Sequence, residues 1–68
     1  MLVLVNGEAR EVTPGTTVAE VVESLPGALQ GRGVAVALDG EVVPHTQWER
    51  TELGDGDRVE VVVAVQGG

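Results

Sequence analysis

The chain has 68 residues, 43% of them hydrophobic and none of them cysteine, and its formal net charge is −7. At that length folding buries only about 60% of the surface that the unfolded chain exposes, so one thin core is expected, unaided by disulfides or a thiolate metal cage. An acidic chain with Trp48 as its only aromatic residue lacks the cations and stacking rings of a nucleic-acid binder, and the lack of lysine excludes side-chain Schiff-base chemistry. No apolar run reaches the roughly 20 residues of a membrane span, and no basic leader precedes an apolar core, so a cytoplasmic protein without membrane partners is expected.

Met1-Leu2-Val3-Leu4-Val5 is an unbroken apolar run, which predicts a strand with both faces covered, by the core or by a partner. Asn6-Gly7 follows, then Glu8 to Val12. Asn-Gly between two strand-like segments predicts a type I′ hairpin, because that turn needs φ > 0 at both central residues. Thr13-Pro14-Gly15 breaks the pattern. Thr17 and Glu20 then form a capping box, and Val18, Val21, Val22 and Leu25 recur at the spacing of one helical face. Pro26-Gly27 ends this helix after little more than two turns, too short to be stable without a sheet to pack on.

Gly27 to Gly33 reads as a flexible loop, and it lacks the Lys-Ser/Thr of a phosphate loop. Val34, Val36 and Leu38 alternate with Ala35 and Ala37 in a third strand. Asp39-Gly40 turns the chain into Glu41-Val42-Val43, and Pro44 ends what should be an edge strand. His45 to Thr51 is a short irregular or helical turn carrying Trp48, and Leu53 plugs the core. Asp55-Gly56-Asp57 is a further turn, and Arg58 to Val65 is the final strand, leading into Gln66-Gly67-Gly68.

This order makes an α+β domain spanning 1–68, a mixed sheet of about five strands with one helix across one face. Alternation puts Met1, Val3, Val5, Val59, Val61, Val63 and Val65 under the helix. It leaves Leu2, Leu4, Ala35, Ala37, Val62 and Ala64 on the other face, where an apolar surface of that extent predicts docking. Catalytic constellations are missing. His45 is a lone histidine on a solvated loop, Asp55-Gly56-Asp57 lacks the ligand series of a calcium loop, and Glu49 and Glu52 read as solvated. Trp48 reads as a satellite core residue under its loop or, alternatively, as a partner contact. What remains is the C-terminal segment, a thin stalk carrying an α-carboxylate beside a rigid sheet, since glycine has no Cβ and is free in φ. It reads either as a reacting group or as a frayed end.

Asn6-Gly7, Thr17-Val18, Val42-Val43-Pro44 followed by Trp48, Gly54-Asp55-Gly56-Asp57-Arg58-Val59-Glu60 and the closing Gly67-Gly68 together resemble the ThiS family, the sulfur carriers of thiamine biosynthesis. These are small β-grasp, ubiquitin-like proteins, and the resemblance covers the whole chain. It implies that Gly68 is the covalent site, with Gln66 and Gly67 giving access to it. A ThiF-like adenylating enzyme, using ATP, would make the Gly68 acyl-adenylate. A cysteine desulfurase or persulfide donor would supply sulfur for a thiocarboxylate, and a ThiG-like thiazole synthase would accept it. No bound cofactor or metal is implied, and the chain would be a protein co-substrate rather than an enzyme. In the family the first and last strands lie side by side, which would bring the docking residues Leu2, Leu4, Val62 and Ala64 together as one patch. The small subunit of molybdopterin synthase shares the Gly-Gly end but has prolines in its last strand that are lacking here. A ubiquitin-like modifier and a non-covalent binding module are the other readings.

Overall fold

A computed structural model describes residues 1–25 and 33–63, with Val63 described by its backbone alone. Two hairpins frame the sheet. Strands β1 (Leu2–Val5) and β2 (Glu8–Glu11) pair antiparallel across Asn6-Gly7, whose φ angles of 52° and 85° are those of a type I′ turn. Strands β3 (Val34–Leu38) and β4 (Glu41–Val43) do the same across Asp39 (φ 50°) and Gly40 (φ 88°). The last strand, β5 (Arg58–Val63), enters between the hairpins to give the order β2-β1-β5-β3-β4. It runs parallel to β1 and antiparallel to β3, so the sheet is mixed and the chain's final strand is its centre.

Helix α1 (Val18–Ser24) starts where the sequence says it should. The Glu20 N–H donates to Thr17 Oγ1 at 3.3 Å, and the Thr17 N–H donates to Glu20 Oε1 at 2.9 Å, which closes the capping box. It ends at Leu25, whose extended backbone (φ −77°, ψ 144°) is the conformation that a following proline imposes. The expected Pro26-Gly27 stop itself, with the loop to Arg32, lies outside the described residues.

The core is almost all valine: Val3, Val5, Val36, Val59 and Val61 from the sheet meet Val18, Val21 and Val22 from the helix. β-branched side chains suit the pleated layer because they are stiff and pack broadside on the strands. Two turns of helix cannot roof five strands, and the 3-10 helix His45–Arg50 closes the gap. Trp48 is therefore a member of the main core at 5% exposure, not a satellite, and its indole N–H is satisfied by the Val43 carbonyl at 2.9 Å. Leu53 joins it as expected. The segment after the 3-10 helix is stitched to the start of α1 by Val18 N–H to Thr51 O and Leu53 N–H to Thr16 O, each 2.9 Å.

Thr17→Ala removes one half of the capping box and should cost about 1 kcal/mol. For a domain of this size that is a fall in Tm of about 4–8 °C, read from the Trp48 fluorescence melt.

Candidate functional site

Because α1 and the 3-10 helix cover one face of the sheet, strand alternation exposes the other. Val3 and Val5 of β1 and Val59 and Val61 of β5 are buried, while Leu2 is 53% exposed, Val62 63% exposed and Leu4 half-buried. Register extends this face sideways. Leu2 and Leu4 stand opposite Glu11 and Ala9 of β2; Glu60 and Val62 stand opposite Ala37 and Ala35 of β3; Ala37 stands opposite Val42 of β4. Val42, 75% exposed, is thus part of the same face. It went unassigned in the sequence, although the two-residue Asp39-Gly40 turn fixes its register opposite Ala37.

The face is not one patch. The Gly56 N–H donates to the Leu2 carbonyl at 2.7 Å, and Leu4 pairs with Arg58, so the parallel register sets Leu2 beside Gly56, in the turn that precedes β5. Val62 lies six residues further along, roughly 20 Å away at strand rise. Leu2 and Leu4 occupy one end and Val62 with Ala35 the other, with the exposed Arg58 and Glu60 between them. The expectation that adjacency of β1 and β5 would gather Leu2, Leu4 and Val62 is corrected by this offset: β1 ends at Val5, and β5 runs on past it. Val62 stands at the end of β5 that leads to the C-terminal segment. Ala64, Gln66, Gly67 and Gly68 lie outside the described residues, as does the expected core residue Val65.

Several side chains serve to hold β5 in this offset. Asp55 Oδ1 accepts from the Leu2 N–H at 2.9 Å and Asp57 Oδ2 from the Gly54 N–H at 2.6 Å, so the Gly-Asp-Gly-Asp run is a turn clamped onto β1. Asp39 Oδ1 accepts from the Arg58 N–H at 2.9 Å on the opposite flank. Asn6 does more. Its own N–H donates to the Val59 carbonyl (2.8 Å), its Oδ1 accepts from the Val61 N–H (2.8 Å), and its Nδ2 donates to the Val61 carbonyl (3.2 Å).

Among the described residues no three potential metal ligands come together, and none of the helices is long and apolar enough to cross a membrane. His45 stacks edge-on against Trp48, with ring centroids 4.5 Å apart, in a shallow groove with Ala19, Glu23 and Glu49. Glu49 and Glu52 are exposed. Among the described residues nothing positions a nucleophile against a base.

A family model described as the ThiS family matches residues 3–68. The chain is 32% identical over 68 residues to the sulfur carrier protein ThiS of Escherichia coli, covering all of both chains. It is also 32% identical over 68 residues to a thiazole synthase of Paramagnetospirillum magneticum, covering all of this chain and 20% of that one. The crystal structure of the thiamine biosynthesis protein ThiS from Geobacter metallireducens superposes with a TM-score of 0.80 at 34% identity, over the whole of both chains.

The face assignment has a direct test in two neighbouring valines. Val61→Asp would set an unpaired charge in a thin core and should unfold the domain. Val62→Asp points to water and should change stability by no more than about 0.5 kcal/mol. Circular dichroism melts of the two variants decide it, and the reverse pattern would mean that the faces are inverted.

Proposed function

The chain belongs to the ThiS family of sulfur carriers of thiamine biosynthesis, and we propose from that premise that its Gly68 is the residue whose carboxylate becomes the thiocarboxylate. As a family member it is a protein substrate, not an enzyme. The observation that carries the assignment is the family match over residues 3–68, together with a central strand that is followed in sequence by Ala64-Val65-Gln66-Gly67-Gly68.

The chemistry explains why such an end is needed. A carboxylate is a poor electrophile until one oxygen is made a leaving group. A ThiF-like enzyme would do this by joining the Gly68 carboxylate to the α-phosphate of ATP, releasing pyrophosphate. The terminal sulfur of a persulfide, formed by a cysteine desulfurase or another donor, would then displace AMP to give an acyl disulfide. A thiol co-reactant would cleave this to the thiocarboxylate, leaving the donor sulfur in a disulfide. The resulting thiocarboxylate is ionised at neutral pH and is a soft nucleophile, so sulfur travels covalently bound. The carrier has no thiol of its own to compete for it. Gln66 and Gly67 would give access to Gly68, and the absent Cβ at Gly67 would let backbone enter a narrow slot in the partner.

A ThiG-like thiazole synthase is the proposed acceptor. It is supported by the synthase of Paramagnetospirillum magneticum, a fifth of which aligns with this chain. Docking is assigned to the open sheet face. Val62 and Ala64 stand nearest the stalk along the chain, so they should matter more than Leu2 and Leu4, which the register places at the far end. Burial of one such side chain against a partner is worth about 1.5–3 kcal/mol, or ten- to hundredfold in affinity.

Incubation with the adenylating enzyme, ATP and a sulfur donor should exchange one oxygen of the carrier for sulfur, and intact-mass fragmentation should place the exchange at Gly68. An unchanged mass with an active enzyme would sink the assignment. Gly67→Val should leave the melt unchanged and slow adenylation sharply. Val62→Asp should weaken binding to the enzyme at least tenfold, and wild-type affinity in that variant would remove the open face from the interface.

A further inference from the structure

Strand β1 stops at Val5, but its pairing with β5 does not. The chain turns away at Asn6, and from there the pattern is continued by the Asn6 carboxamide. It presents an acceptor to the Val61 N–H at 2.8 Å and a donor to the Val61 carbonyl at 3.2 Å, taking the places of the C=O and the N–H that two successive peptide units of a longer β1 would offer. A side-chain amide has the same donor and acceptor as a backbone peptide, and few other side chains offer both in one plane. The positive φ of Asn6, 52°, is what allows a single residue to turn the hairpin and face β5 at once. On the other flank the first residue of the second hairpin turn, Asp39, also reaches β5, but it bonds Arg58 at the strand's start.

We propose that Asn6 is a positioning residue for sulfur loading: by bracing Val61 from the β1 side it carries the rigid part of β5 beyond the end of β1 and fixes the direction in which the chain leaves toward Gly68. This rests on Gly68 as the reacting end. An end delivered from a fixed root reaches the enzyme's site with less ordering left to do, and small errors of placement at a reacting atom are costly in rate. The effect belongs to the turnover step and not to docking, since Asn6 is not among the apolar side chains of the open face.

The test compares Asn6→Gly with Asp39→Gly. Both leave glycine at a positive-φ turn position and remove one side-chain clamp on β5, so they share their effect on the unfolded chain. Adenylate formation is followed by pyrophosphate release with the adenylating enzyme and varied carrier concentration, and amide exchange at Val61 is followed by NMR. Asn6→Gly should lower kcat roughly tenfold with KM unchanged, and should speed exchange at Val61. Asp39→Gly should do neither. Should Asn6→Gly fail to fold, Asn6→Asp keeps an acceptor for the Val61 N–H while losing the donor, and it should show the same loss in kcat to a smaller extent. Wild-type kcat in the Asn6 variants, unchanged exchange at Val61, or an equal loss in Asp39→Gly would overturn the proposal. A wild-type carrier that an active enzyme does not adenylate would instead overturn the assignment of Gly68, and this proposal with it.

Discussion

Everything in this sheet depends on β5 fitting between two hairpins that are not paired with each other. Each hairpin is local and makes its own antiparallel pairing, but their inner edges, β1 and β3, are satisfied through β5 and the turn that leads into it. The core has the same dependence, because Val59 and Val61 supply its middle. Long-range pairing of this kind is won against loop-closure entropy, and the chain meets the cost with side chains placed at the joins. Asp55 and Asp57 fix the turn before β5, Asp39 fixes its first residue and Asn6 a later one.

What could be read from the sequence was whatever local chemistry decides. Both type I′ turns, the capping box and the valine face of α1 are signals contained within a few residues, and each stands where the pattern puts it. The split of β1 and β5 into a buried and an exposed side was also legible, since alternation follows from strand geometry alone. The offset between those two strands was not. A hairpin turn sets register, but no turn joins β1 to β5, so the separation of Leu2 from Val62 is settled by contacts 53 to 55 residues apart in sequence. Asn6 shows the same limit: its place in a turn was evident, whereas the use of its side chain by a strand from the other end of the chain was not. Trp48 went from satellite to core because its burial depends on how much of the sheet a seven-residue helix leaves bare.

The division of labour that results suits a carrier. One face of the sheet holds the fold together, and the other is left free of the core, so change on one side need not disturb the other. A family built on a covalent end needs no pocket and no catalytic group of its own. The activating chemistry can be left to partners, while the carrier supplies the C-terminal group that takes the sulfur.

The outer strands have a consequence for solubility. A bare face with Leu2, Val42 and Val62 on it invites association, and an open sheet has two rims onto which a second copy could add as a further strand. Here β2 is short and carries Glu8, Arg10 and Glu11, while β4 has only three residues, begins with Glu41 and is followed by Pro44, which has no N–H to offer. Together with a net charge of −7, these rims make edge-to-edge growth unfavourable. The sticky face is thus kept from becoming a route to fibrils by the strands that border it, which is what permits a small acidic protein to keep an uncovered apolar surface.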